Sequence, residues 1–274
     1  VWGGDLYGGV SLQRPPLVHQ TWKTADLTRQ QQGWVGTWKN HYPEWTHRLW
    51  SDVDVKKYVW EYFPSFAPVW EQLTPFIKKI DVVRVMWMYT HGGIYTDLDT
   101  ICHRPVESLL MWENTAYVPV QSFELGWNWG SDAASPAFLA STGTGNPFWL
   151  LILRYVLEFG HLPVRDATGP IALANVILAV SALQSNKQLP FRLAFLSEKS
   201  MGIASWEYFS LFQKTPYMHH VNATEWPDNP KDVFPQLQNT HQARTALNGM
   251  IQRACGDAFL KDYTEILRDM SGSK

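Results

Sequence analysis

Two aspartates one residue apart, Asp97 and Asp99 in the stretch GGIYTDLDT over residues 92–100, are the spacing in this chain most suited to chemistry. On a strand such residues point to one side, and on a turn leaving a strand they converge on one point. Neighbouring carboxylates repel and raise one another's pKa unless a cation neutralises them, so a divalent ion is their natural partner. Hard oxygen donors favour Mg²⁺ or Mn²⁺, ions that also take phosphate oxygens from a substrate. The alternative is that Asp97 and Asp99 cap the turn after the strand, since Asp is common there. A second D-x-D, Asp52 and Asp54, follows Ser51 at an expected helix start, where acidic residues complement the helix dipole, and is read as structural.

The elements that must carry these residues alternate. Residues 17–22 form a candidate strand entered through Pro15-Pro16, followed by a helix-compatible segment over 27–40, a strand over 46–50 and a helix from Ser51 to about Tyr62. Residues 74–89 read as a helix ended by His91-Gly92-Gly93, with Ile77, Ile80, Val83 and Trp87 recurring on one face and Asp81 and Arg84 three apart. Strands over 94–98 and 116–120, helices over 147–159 and 171–183, a strand over 191–196 and a helix over 244–270 complete the order. Such alternation predicts an α/β sandwich with a mainly parallel sheet, with ligands bound off the carboxyl ends of the strands. Pro and Gly are spread along the chain and no repeat is found, so residues 1–274 read as a single domain with 1–14 as an N-terminal extension.

Composition excludes several classes of function. A formal net charge of -2 leaves no global field for nucleic acid or an anionic membrane, so any bound anion must be held locally. The most apolar stretch, 148–157, is interrupted by Arg154 and is about half the ~20 residues that cross a bilayer. The chain starts at Val1 with neither a basic n-region nor an apolar h-region, in keeping with a catalytic portion trimmed from a membrane anchor. Two cysteines, Cys102 and Cys255, are too few for a disulfide framework and leave open whether they are bridged. The sequon Asn222-Ala223-Thr224 is compatible with a secretory route.

The combination Asp81-x-x-Arg84, then Gly92-Gly93-Ile94-Tyr95-x-Asp97-x-Asp99, resembles the pattern of family 32 glycosyltransferases, the DXD sugar-binding group. The likeness extends to residues 16–23 (PLVHQTWK), to Tyr42-Pro43-Glu44-Trp45 with Leu49-Trp50-Ser51-Asp52, to Asn146-Pro147-Phe148-Trp149 and to Thr168-Gly169-Pro170. This resemblance implies a GT-A fold, a nucleotide-sugar-binding sandwich that uses Mn²⁺ or Mg²⁺ to hold a nucleoside diphosphate sugar. It implies Asp99 as a direct metal ligand, Asp97 shared between metal and donor, and Tyr95 flanking them. Asp81 would accept hydrogen bonds from donor hydroxyls, and Arg84 would donate and offset charge. Taken alone, the same two residues would be an i,i+3 ion pair worth a few tenths of a kcal/mol.

By the same resemblance His19, Gln20, Thr21 and Trp22 end the first strand beside the nucleotide, with Trp22 a candidate to stack on the base or, equally, a core residue. Lys78 and Lys79 would lend charge to the diphosphate. His219 and His220 are candidates for a third metal ligand, in a segment where Thr224-Glu225-Trp226 departs from the family's Ser-Trp pair. Ser135-Pro136 stands where many members have Asn, with Asn128 or Asp132 as substitutes. The implied activity is retaining transfer of a hexose, first mannose from GDP-mannose, to a glycan or glycolipid hydroxyl in the Golgi or another secretory lumen. UDP-galactose and UDP-N-acetylglucosamine are further donors to test. Competing readings are an inactive lectin-like domain binding sugar nucleotides, and a haloacid-dehalogenase-like phosphohydrolase for which Gly256-Asp257 and Asp262 would supply the late acids.

Overall fold

A computed structural model describes residues 16–120, 134–184, 191–197 and 217–221. The chain opens with β1 (Leu17–Thr21), α1 (Arg29–His41), β2 (Thr46–Trp50) and α2 (Asp52–Tyr62). Next come α3 (Ala67–Gln72), α4 (Phe76–Thr90), β3 (Gly93–Thr96) and β4 (Thr100–Cys102). A 3-10 turn at Glu107–Leu109 leads into β5 (Thr115–Val120) and β6 (Phe138–Ser141). The remaining elements are α5 (Pro147–Phe159), α6 (Val164–Ala167), α7 (Pro170–Gln184), β7 (Arg192–Ser197) and β8 (Met218–His220). The helix expected over 244–270 lies outside the described residues.

Six strands form one sheet in the order β2-β1-β3-β6-β5-β7. β1 runs parallel to β2 and β3, and β5 runs parallel to β7, while β6 is antiparallel to both β3 and β5. The class is therefore α/β with a mainly parallel sheet, as expected from the alternation. The reversed strand β6 was not visible as a strand in the sequence, because it is four residues long and buried on both faces, so no period-2 pattern marks it. β4 and β8 pair as a separate two-stranded ribbon.

Helix starts follow their caps. Thr28 with Gln31 and Ser51 with Asp54 each make a reciprocal capping box, so the second D-x-D is a helix-start device, as its position suggested. α3 escaped sequence reading because it is six residues long and carries a Pro in its first turn. α4 is the central helix: Ile80 through Met88 are all buried, so it presents no polar face. It packs against α5, β6 and β3, and its burial forces any charged residue on it to find partners inside the protein.

The glycine pair between α4 and β3 meets two demands at once. Gly92 adopts φ +65° to turn the chain out of the helix, and Gly93, at φ +84°, lies so close to β1 that an added Cβ would meet the Leu17 carbonyl oxygen at 2.2 Å. This approach seats β3 beside β1, with Val18 opposite Ile94 and His19 opposite Tyr95. Gly93→Ala is expected to cost about 1–2 kcal/mol from backbone conformation alone, and more from the clash. Thermal melting of that variant should show a large fall, whereas an exposed α1 substitution such as Gly33→Ala, where a Cβ meets nothing within 4 Å, should not.

Candidate active site at the carboxyl ends of β1 and β3

β3 ends at Thr96, and the chain leaves the sheet through Asp97, Leu98 and Asp99 before entering β4. The turn is pinned through its main chain. The Asp97 N–H donates to the Ala137 carbonyl at 3.0 Å, and the Asp97 carbonyl accepts from Thr100 Oγ1 at 2.6 Å and Gln20 Nε2 at 3.3 Å. Thr100 is itself held by the Trp38 indole N–H at 3.0 Å, and Gln20 Oε1 contacts His47 Nε2 at 2.8 Å. The Asp99 carbonyl accepts from the Val221 N–H at 2.8 Å, which ties the late segment to the turn.

The side chains form one charged cluster around Arg84. Its Nη2 lies 3.1 Å from Asp97 Oδ1, its Nη1 lies 3.3 Å from Asp81 Oδ1 and donates to the Pro136 carbonyl at 3.2 Å, and its guanidinium sits 4.9 Å from the Tyr95 ring centroid. Tyr95 donates its hydroxyl to Asp97 Oδ1 at 2.6 Å. Thr168 Oγ1 donates to Asp81 Oδ2 at 2.9 Å. The Asp81–Arg84 contact is ionic without an aligned hydrogen bond, since Asp81 Oδ1 and Arg84 Nε are both buried with no hydrogen-bond partner among the described residues. The Asp97 side chain is 21% exposed and that of Asp81 is fully covered, so solvent reaches the cluster through Asp97 and half-buried Asp99.

Electrostatics follow from burial and from these partners. Burial pushes the Asp81 carboxyl up to about 6, opposed by Arg84 and by the Thr168 hydrogen bond and assisted by Asp97. For Arg84, burial works against the charge, but Asp97, Tyr95, Asp81 and Asp99 outweigh it and hold the guanidinium above its ordinary value. Burial keeps the Tyr95 phenol protonated and therefore a donor. Three carboxylates act on one guanidinium, a surplus of negative charge that suits a divalent cation at the exposed edge.

The sequence-expected site residues are sorted by this geometry. Asp81, Arg84, Tyr95, Asp97 and Asp99 come together. His19 does not join them. It is fully buried beside Trp50 and Trp87, which also stack on each other, with Nδ1 accepting from the Trp50 indole and Nε2 on the Gly92 carbonyl, so no ring nitrogen is left for a ligand. Burial, then His91, lowers its pKa to about 3, which keeps it neutral. Gln20 supports the Asp97 main chain, and Thr21 donates to the Trp50 carbonyl at 3.0 Å. Trp22 is not a core residue: it is 36% exposed and follows β1 at the edge where Asp97 leaves β3.

The lysines are a correction as well. Lys78 is buried and donates to the Gly160 and Leu162 carbonyls at 3.0 and 2.6 Å, and Lys79 pairs with Glu71 and lies over Trp70, so neither is turned toward the carboxylates. His219 and His220 hold register positions opposite Ile101 and Thr100, which brings their strand alongside the residues that follow Asp99. Among the described residues no group of three or more His, Cys, Asp and Glu side chains converges as a metal cage. The change at Ser135-Pro136 leaves two contacts intact, because Arg84 and Asp97 use the main-chain carbonyls of Pro136 and Ala137. Asn128, Asp132, Cys255 and the Asn222 sequon lie outside the described residues, and Cys102 is a buried thiol. Thr100, Trp38, His47 and Thr168 were not singled out as site residues by sequence. Only the Thr168-Gly169-Pro170 block gave a signal.

A family model described as "Glycosyltransferase sugar-binding region containing DXD motif" matches residues 28–116, the stretch holding Asp81, Arg84, Tyr95, Asp97 and Asp99. Residues 28–116 thus carry the sugar-binding region of the DXD-containing glycosyltransferases. Among curated relatives of this family it is 28% identical over 189 residues to inositol phosphoceramide mannosyltransferase 3 of Schizosaccharomyces pombe, covering 64% of this chain and 48% of that protein. It is 31% identical over 218 residues to inositol phosphoceramide mannosyltransferase 2 of the same yeast, covering 73% and 56%. Against mannosyl phosphorylinositol ceramide synthase CSH1 of Saccharomyces cerevisiae it is 33% identical over 183 residues, covering 59% and 42%. The chain thus spans about half the length of the curated relatives it matches. A solved structure titled "PaToxG Glycosyltransferase" superposes with a TM-score of 0.44 at 16% identity, over 62% of this chain and 70% of that one. The family match over the stretch holding Asp97 and Asp99 favours a glycosyltransferase over the phosphohydrolase reading. Among the described residues no helix is long and apolar enough to cross a membrane.

Two outcomes check the charge assignments. Asp81 has a folded pKa above its unfolded value of 3.8, so the stability it contributes is present below about pH 4 and is lost as pH rises through about 6. Melting curves of wild type and Asp81→Asn should therefore diverge in favour of Asn between these limits and run parallel above them. Lys78→Met should lower the melting temperature through two lost charge-assisted bonds, roughly 1–3 kcal/mol, without changing nucleotide-sugar affinity.

Proposed function

We propose that this domain is the catalytic part of a metal-dependent, retaining glycosyltransferase. It moves a hexose, first mannose from GDP-mannose, to a hydroxyl of a glycan or glycolipid. The observation that carries this reading is the Arg84 guanidinium held between Asp81 and Asp97 at the edge where Asp97 and Asp99 leave the sheet, inside the family's sugar-binding region. Mannose and a glycolipid acceptor are supported by the names of the relatives, inositol phosphoceramide mannosyltransferases. A secretory-lumen location, the Golgi first, is supported by the family resemblance. The layered sheet, with its ligand edge at the ends of β1 and β3, is what a GT-A-type domain requires.

In this reading Asp99 ligates the ion directly and Asp97, tethered by Arg84 and Tyr95, shares it with the donor. His219 and His220, on the strand paired with β4 just after Asp99, are the candidates for a third ligand. Bound Mn²⁺ or Mg²⁺ supplies positive charge for the departing diphosphate. Arg84 holds Asp97 in place and adds fixed positive charge beside the leaving group, an electrostatic contribution that needs no reorganisation during the reaction. Asp81 orients the donor sugar from the buried side. Trp22, exposed at the same edge, stacks on the base. Attack comes from the donor's front face, with the diphosphate taking the acceptor proton.

The test is a thermal-shift and hydrolysis panel of GDP-mannose, UDP-glucose, UDP-galactose and UDP-N-acetylglucosamine, each with Mn²⁺ or EDTA. One donor, GDP-mannose, is expected to stabilise and turn over only with metal, and Asp99→Ala should lose the shift and about 100-fold or more in turnover. A shift without hydrolysis would support the lectin-like reading, and no shift with any donor would sink both.

A further inference from the structure

Thr168-Gly169-Pro170 marks the family likeness but takes no part in the function as read so far, and the structure gives it one. α6 ends at Ala167, and the Thr168 and Gly169 N–H groups both return to the Val164 carbonyl, at 3.1 and 2.9 Å. Gly169 lies so close that an added Cβ would stand 3.0 Å from the Arg165 Cα, and Pro170 begins α7. Tyr155 of α5 donates to the Asp166 carbonyl at 2.9 Å and accepts from Asn175 of α7 at 3.2 Å, so the turn is fixed from both neighbouring helices. Out of this frame comes one hydroxyl. Its proton has two acceptors in range, Asp81 Oδ2 at 2.9 Å and the Val164 carbonyl at 3.4 Å, and the shorter contact is the carboxylate.

Asp81 has few other partners. Arg84 meets its Oδ1 at 3.3 Å without hydrogen-bond alignment, so the Thr168 contact is the one hydrogen bond to this buried carboxylate among the described residues. We propose that Thr168 is a positioning residue of the donor-sugar site. It touches no ligand itself but holds the Asp81 carboxylate in the orientation that centres Arg84 between Asp81 and Asp97. A fold that needed only to fill this space would be served as well by an apolar pair, because replacing a buried ion pair by well-packed apolar residues is often neutral or stabilising. This inference rests on the proposed binding of a nucleoside diphosphate sugar, with Asp81 orienting the sugar.

The full chain is compared as wild type, Thr168→Val, Thr168→Ser, Asp81→Asn and the Thr168→Val/Asp81→Asn double variant. Each is titrated by calorimetry with GDP-mannose and with GDP, both with Mn²⁺. Thr168→Val should weaken the sugar nucleotide about tenfold, the size of one hydrogen bond to a charged group. The free nucleoside diphosphate, held by the metal, should stay within about twofold, and Thr168→Ser should restore the donor to a similar range. In the Asp81→Asn background Thr168→Val should add nothing beyond about twofold. Equal losses for both ligands, additive losses, or no loss would each overturn the proposal. Should Thr168→Val not fold, Thr168→Ala removes the same hydroxyl and is judged in the same way. Failure of wild type to bind any sugar nucleotide would overturn the functional reading and this role with it, and would be seen before any variant is compared.

Discussion

Arg84 is buried, and most of the site depends on how that charge is accommodated. A guanidinium taken out of water costs several kcal/mol unless carboxylates and carbonyls replace the solvent. Here the replacements come from four places in the chain: Asp81 one helical turn earlier on α4, Asp97 and the Tyr95 ring from β3 and its exit turn, and the Pro136 carbonyl just ahead of β6. Removing any one leaves a charge short of partners. The position of α4 inside the protein, the crossing of β6 beside β3 and the geometry of the D-x-D turn are thereby coupled through a single side chain.

The turn divides its labour between main chain and side chain. Three donors or acceptors from Gln20, Thr100 and Ala137 occupy the main-chain polar atoms of Asp97, while its carboxylate faces Arg84 and solvent. The supports reach back to Trp38 on α1 and His47 on β2, elements far from the carboxylates in sequence. A turn whose main chain is held in this way fixes where the two aspartate side chains leave the backbone, which is a requirement of preorganisation.

Much of this was legible in the sequence, for reasons that differ by residue. Asp81, Arg84, Tyr95, Asp97 and Asp99 could be read because their spacing, with Gly92-Gly93 between, is a pattern in which each member has a chemical reason. Strand 46–50 and helix 147–159 fall where the sequence pattern put them, the strand followed by a Ser51 cap and the helix preceded by an Asn146 cap. His19 and Lys78 misled, since a histidine at a strand end and a lysine on a helix look solvent-facing until the tertiary packing is known. The partners of His19 lie 31 and 73 positions away and those of Lys78 82 and 84, beyond any local rule. Thr168 was missed as a site residue for the same reason, since what defines it is a contact with Asp81, 87 positions away, whereas β6 was missed because it is four residues long and buried on both faces.

The two aspartates of the motif are not equivalent, and the asymmetry bears on how such a pair can work. Asp97 Oδ1 accepts from the Tyr95 hydroxyl and meets Arg84, so its orientation is fixed by the protein. Asp99 acts on Arg84 through space, and its main-chain carbonyl accepts from the Val221 N–H. A carboxylate already sharing its charge with a guanidinium is a weaker ligand than one that is not, because part of its charge is neutralised before the ion arrives. Asp97 is thus suited to shaping the site, and Asp97 and Asp99 together put carboxylate charge at its half-buried edge. The surplus of carboxylate over guanidinium charge sits at the solvent side of the cluster, where a hydrated ion with a diphosphate attached can approach without crossing the core.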